Sequence, residues 1–149
     1  MMNSQFTYPK ILTSIRLEKS TLTWMENEIF RIEIKEQVEI LKEDLEAIQP
    51  IKLTLSENKP HCVLFIMPRF GSLTKGVREF SASQAANLNA IAKAVIAPNL
   101  GMRIIANFFI SRNKPPIPHK VFTKQEDAIL WLIEQKNEFV LLNKEAIES

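Results

Sequence analysis

Two hydrophobic periods divide the chain. Thr21-Leu22-Thr23-Trp24-Met25 and Ile29-Phe30-Arg31-Ile32-Glu33-Ile34 alternate polar with large apolar residues, and Glu26-Asn27-Glu28 is a turn signal between them. Period two with β-branched residues predicts two strands, and the short gap predicts an antiparallel hairpin with its first strand at a sheet edge. Phe30, Ile32 and Ile34 would face the core. From Leu41 the period lengthens. Leu41, Leu45, Ile48, Ile51 and Leu55 are spaced four, three, three and four residues apart, one face of a helix. Pro50 interrupts that face, so the helix should end near Gln49 or kink. His61 to Met67 is a continuous apolar run between Pro60 and Pro68, the pattern of a strand covered on both faces. Leu73, Val77 and Phe80 return to helical spacing that can continue to Leu88. Ile91 to Ala97, closed by Pro98, reads as a second buried strand.

The most informative stretch follows. Asn99 is placed to cap a helix whose apolar face is Leu100, Ile104, Ile105, Phe108 and Phe109. Met102 to Ile110 could also be read as a strand, but Arg103 and Asn107 share a polar side at helical spacing and favour the helix. Core burial is expected for the adjacent Phe108 and Phe109, although an exposed one would mark an interface. Asn113-Lys114-Pro115-Pro116-Ile117-Pro118 must stop the helix. His119 to Phe122 is a short strand, and Thr123-Lys124-Gln125-Glu126 has the form of a capping box opening a last helix with Ala128, Ile129, Leu132 and Ile133 inward. Residues 1–14 carry weak pattern and are expected to form a flexible arm. Residues 15–136 form one domain, and residues 137–149 a tail with an apolar patch, Phe139-Val140-Leu141-Leu142. Strands alternating with helices imply a mixed, mostly parallel sheet with about four helices.

This order of elements resembles the SpoIIAA-like fold of STAS domains (sulfate transporter and anti-sigma antagonist) and their small bacterial relatives. Ile104 through Phe109, the 113–118 proline clamp, and Val121-Phe122-Thr123 followed by Ala128 and Trp131-Leu132 carry the resemblance. It covers roughly residues 15–135. In regulatory STAS domains a phosphorylatable serine, usually preceded by aspartate, opens the helix after the third strand. The resemblance therefore implies Ser72 as the corresponding phospho-site, though no aspartate precedes it here.

Composition narrows the function classes. A net charge of +2 with interspersed signs gives no one-sided basic footprint for nucleic acid. Three glycines leave little material for a phosphate-cradling loop. One cysteine, Cys62, excludes an internal disulfide or a multi-cysteine zinc site. No secretory signal and no bilayer-length apolar run is visible, so a cytoplasmic location without a membrane span is expected.

Candidate residues are few. Arg69, Ser72, Asn99 and Thr123 should lie beyond the carboxyl ends of parallel strands, where open α/β sheets bind ligands. Ser72 and Thr74 would stand where a strand meets a helix N-terminus. Arg103, Asn107 and Phe108 would form a ligand or partner edge. His61 and His119 each open a strand, but their spacing supports no metal site. Cys62 and His61, adjacent in a strand, point to opposite faces and cannot pair as nucleophile and base. No catalytic residue, metal or cofactor is expected. The reading is a non-catalytic interaction or regulatory module that forms a homodimer or binds a protein partner. The alternative is a binder of an apolar or anionic small molecule in the strand-end crevice.

Overall fold

A computed structural model describes residues 6–70 and 72–148. Eight strands and four helices are found among the described residues: β1 (Ile11–Arg16), β2 (Ser20–Met25), β3 (Ile29–Ile34), β4 (Glu39–Ile40), α1 (Lys42–Leu55), β5 (His61–Ile66), β6 (Ser72–Leu73), α2 (Lys75–Ser81), β7 (Ala90–Ile96), α3 (Leu100–Asn113), β8 (His119–Phe122) and α4 (Gln125–Glu148). Six strands form one sheet in the order β1-β2-β3-β5-β7-β8, while β4 and β6 pair separately. The pairs β1/β2 and β2/β3 are antiparallel; β3/β5, β5/β7 and β7/β8 are parallel. The sheet is mixed, as the alternation of strand and helix patterns requires.

Each central strand sends alternate side chains to two cores. On one face Phe30, Ile32, Val63 and Phe65 meet Leu45 and Ile48 of α1, Val77 of α2 and Ala106 of α3. On the other, Ile29, Cys62, Leu64, Ala92 and Ala94 meet Ala128, Ile129 and Leu132 of α4. The continuous apolar runs at 61–67 and 91–97 thus serve two cores at once.

Three expectations are corrected. The flexible arm is not one: residues 1–5 lie outside the described residues, but Ile11–Ser14 belong to β1, which takes the edge position in place of β2. Edge strand β1 is exposed along most of its length, so it pairs through its backbone and needs no apolar alternation. Ahead of it, Pro9 is buried, Phe6 packs on the α4 core, and the Tyr8 hydroxyl donates to Gln125 Oε1 at 2.7 Å. The 137–149 tail is also no tail, since α4 runs unbroken to Glu148. Its Val140, Leu141 and Leu142 are exposed. The expected capping box is out of register: α4 starts at Gln125, the Ala128 N–H bonds the Lys124 carbonyl, and Thr123 lies in a bend one residue ahead of the capping position.

Of the two outcomes left open for α1, an end near Gln49 is not the one found: the helix passes through Pro50 and continues to Leu55. Ile51 and Leu55 still pack on the core beyond the proline, and that burial offsets the lost backbone bond. Pro50 itself is exposed. Pro50→Ala should therefore restore an N–H donor at no packing cost and raise stability by about 1–2 kcal/mol, as read by urea denaturation.

Candidate functional site

Arg69, Asn99 and Thr123 lie in the segments that follow the carboxyl ends of the parallel strands, and Ser72 lies in β6, beyond the end of β5. Two of the backbone donors there are taken from within the chain. The Arg69 and Phe70 N–H groups both donate to the Glu36 carboxylate, each at 3.0 Å. Those two bonds, with Arg69 Nε 3.8 Å away, hold the Glu36 carboxyl below the usual carboxylate range. Glu36 thus sits where an external anion would. Asn99 caps α3, its Oδ1 accepting from the Met102 N–H at 2.9 Å. Thr74, not Ser72, caps α2 by accepting from the Val77 N–H at 3.3 Å. Ser72 lies two residues upstream in β6, with Glu39 as its register partner.

Helix α3 departs most from the pattern-based expectation. Residues 102–110 are helical, which settles the choice between helix and strand. Its expected core face, however, is largely in water. Leu100 is 62%, Ile104 60%, Ile105 45% and Phe108 57% exposed. Of fourteen residues only Ala106 is buried. Phe109 is half-buried: its ring lies under the Arg78 guanidinium, 3.8 Å from the centroid, and edge-on to Phe108 at 5.5 Å. Arg103 is half-buried and Asn107 exposed beside the apolar row. The helix is held at its ends, by Asn99 at one and by Lys114 at the other, where φ is 46°. The spacing identifies an amphipathic helix correctly but cannot say which apolar residues the sheet has room to cover.

Beneath α3 lies a cavity of about 80 Å³ between α2, α3 and strands β5, β7 and β8. Phe65, Met67, Val95, Ile105 and Phe109 give it apolar walls, and Arg78, Ser81 and His119 add polar groups. His119 Nδ1 stands 3.1 Å from the Ile117 carbonyl. A carbonyl can only accept, so Nδ1 carries the proton and Nε2 bears a lone pair. That Nε2 is buried without a partner, as is Arg78 Nε. Burial and the nearby Lys93 push the His119 pKa down to about 4, so the ring is neutral near pH 7.

Next to the cavity is a group that pattern alone does not single out. Lys52 and Lys93 are 1% and 5% exposed. Lys52 Nζ donates to the Ala86 carbonyl at 2.7 Å, and Lys93 Nζ to the Ser81 carbonyl at 3.0 Å and hydroxyl at 3.3 Å. Among the described residues no carboxylate forms an ion pair with either. Burial lowers the pKa of Lys52 to about 8. Burial and the charge of Lys52 lower that of Lys93 to about 7. Signals for both exist in the sequence: Lys52 follows Ile48 by four residues on the apolar face of α1, and Lys93 interrupts a strand covered on both faces.

His61 is fully buried on the same sheet face. Its Nδ1 is 2.8 Å from the Lys59 carbonyl, its Nε2 has no partner, and burial lowers its pKa to about 4. Cys62 points to the opposite, α4 face, where its Sγ–H donates to the Leu132 carbonyl at 3.5 Å. Burial pushes the thiol up to about 12, so it stays protonated and behaves as a small hydrophobe. Among the described residues no group of three or more His, Cys, Asp or Glu side chains is placed to hold a metal. Nor is any described helix long and apolar enough to cross a membrane.

Among curated proteins no sequence matches this chain. Among solved structures it is similar to an uncharacterised protein of the DUF3478 family with a SpoIIAA-like fold from Shewanella loihica PV-4. The two are 15% identical, the match covers 86% of this chain and 98% of that one, and the TM-score is 0.52. At that identity the likeness shows the fold: a SpoIIAA-like mixed sheet with four helices among the described residues. Residues 23–136 match the model of DUF7793, a domain of unknown function, and the chain belongs to that family.

Proposed function

We propose that this protein is an interaction module that self-associates through α3. The exposed row Leu100, Ile104 and Phe108, with Ile105 beside it, carries this reading. Residues four apart stand above one another on a helix, so the row is a continuous apolar stripe along α3. Exposed apolar residues scattered singly need no explanation, but a contiguous stripe on one helix does.

A second copy suits the stripe by symmetry. A two-fold axis at Ile104 brings Phe108 of one protomer against Leu100 of the other, and an isologous contact covers both rows at once. Each half-exposed side chain covered contributes roughly 1 kcal/mol. Eight of them must outweigh the loss of rigid-body freedom, which costs several kcal/mol, so the expected dimer is weak and reversible.

Sedimentation equilibrium over about 1–500 µM protein, the range in which such affinities fall, tests the reading. The wild type should dimerise, and Ile104→Glu or Phe108→Glu should weaken dimerisation at least about tenfold, because each places charge in the apolar contact. Both sites are exposed in the monomer, so neither change should lower its stability. A wild type that stays monomeric throughout this range would refute self-association through α3.

A further inference from the structure

We propose that the outer edge of β1 takes up an extended segment of a partner protein as an added strand, antiparallel to β1 and with an acidic residue opposite Arg16. This edge and β8 are the two ends of the six-stranded sheet, and α3 is no part of it, so the inference is independent of self-association through α3.

The direction of each backbone group in β1 follows from the bonds on either side of β2. The Leu17 N–H donates to the Ser20 carbonyl at 2.8 Å, and the Lys35 N–H to the Lys19 carbonyl at 3.0 Å. Bonded and non-bonded pairs alternate along an antiparallel ladder. Continued in register, the first bond makes Ile15/Leu22 and Thr13/Trp24 the bonded pairs of β1 and β2. The second makes Thr21/Glu33 and Thr23/Arg31 the bonded pairs of β2 and β3. The two results agree, since Leu22 and Trp24 serve β1 while Thr21 and Thr23 serve β3. The N–H and C=O groups of Ser14 and Arg16 therefore point away from β2. Both residues are exposed, and among the described residues no other bond takes these four groups.

Little in β1 keeps another strand away. Edges are commonly closed by proline, by charges or by bulges. β1 has no proline, and its one irregularity, between Ile11 and Thr13, leaves residues 13–16 in regular register. Ile11 and Leu12 are exposed beside it, so an added strand would also cover apolar surface. Main-chain bonds give such an addition its affinity, and alternate side chains give it specificity. Arg16 is the one charge within β1; it is exposed and has no ion pair among the described residues. A carboxylate directly across from it completes the pair. A second copy suits this edge less well. Antiparallel self-pairing about Ser14 sets Arg16 across from Leu12 of the other copy, with Lys10 close by, and places no carboxylate opposite it.

The probe is an acetylated, amidated peptide Glu-Val-Thr-Val-Thr, which in antiparallel register sets its Glu opposite Arg16 and its first Thr opposite Ser14. A second peptide carries Lys in place of Glu. Amide hydrogen exchange followed by NMR reads the Ser14 and Arg16 N–H groups. Both should exchange fast in the free protein and slow saturably with the acidic peptide. The Thr13 and Ile15 N–H groups, already bonded to β2, should change little. The acidic peptide should bind at least about threefold more tightly than the basic one, the scale of a cross-strand charge pair. Arg16→Glu, at an exposed position, should reverse that order. No slowing at Ser14 and Arg16 with either peptide up to about 5 mM, beyond the weakest affinity of interest, would overturn the proposal. So would equal binding of the two peptides, or an order unchanged in Arg16→Glu. Slowing that grows with protein concentration in the absence of peptide would overturn it in favour of a second copy at this edge.

Discussion

Raised from about pH 7 to about pH 10, this protein should gain stability, whereas proteins commonly peak between about pH 5 and 8. Lys93 is the main reason. Its folded pKa is about 7, against an ordinary 10.5, so between these values the unfolded chain holds a proton that the folded chain does not. Stability rises with pH wherever the unfolded state binds more protons. Lys52, lowered to about 8, acts in the same direction over a narrower window. His61 and His119, both lowered to about 4, add the acid limb: stability should fall as the pH drops from 6.5 toward 4. Asp44 and Glu36, both lowered, extend the loss below their ordinary values of 3.8 and 4.5. Lys19, raised by its bond to Asp44, opposes the trend only above its ordinary 10.5. The alkaline gain should amount to a few kcal/mol, since a tenfold difference in proton affinity between the folded and unfolded chain is worth about 1.4 kcal/mol.

The same buried amine predicts a change of sign for Lys93→Met. Near pH 7 the variant should be more stable than the wild type by about 2 kcal/mol, because it removes the cost of a buried charge and leaves one carbonyl to be resolvated. Near pH 10, where the wild-type amine is neutral and bonded to Ser81, the advantage should vanish or reverse. Urea denaturation of both proteins across this range checks it. A wild-type maximum below pH 8, together with a Lys93→Met difference that does not vary with pH, would sink the account.

Leu132→Ala should cost about 4 kcal/mol, within the range for a fully buried leucine whose cavity cannot collapse. Leu132 is completely buried, as are Ala128 and Ile129 one turn before it. Together they anchor α4 on Cys62, Leu64, Ala92 and Ala94, the small-residue centre of the sheet. That face has no other helix among the described residues, so no neighbour can move in to fill the space. Leu142→Ala, in the same helix but 64% exposed, should change stability by less than about 0.5 kcal/mol. Equilibrium unfolding of the two variants side by side decides the matter; equal losses would show that the distal half of α4 is buried in solution.

The central strands are plain in the sequence because burial on both faces demands an unbroken apolar run, which few other environments tolerate. The hairpin 21–34 is equally plain, since a half-buried strand must alternate. Strand β1 leaves no such trace, because an edge strand is fixed by backbone bonds to its neighbour. The extension of α1 past Pro50 depends on apolar contacts beyond the proline, which outweigh its local veto. The candidate site is legible in part. Asn99 is the α3 cap that its position suggests, whereas the backbone donors of Arg69 and Phe70 are taken by Glu36, a residue more than thirty positions away along the chain. His119 stands out in the sequence only as a histidine without metal-ligand spacing, and Arg78 does not stand out at all, because their shared cavity is formed by elements that meet only in the fold.

Local pattern by itself determined the order of the main elements, the inward phase of each central strand and the mixed sheet, because these depend on spacing along the chain. The tertiary structure decided which surfaces remain uncovered. Four large apolar side chains of α3 face water, a cavity stays open beneath them, and two lysines lose their solvent. Whether an apolar residue is buried depends on how much sheet the other helices have already covered, and no spacing along the chain encodes that.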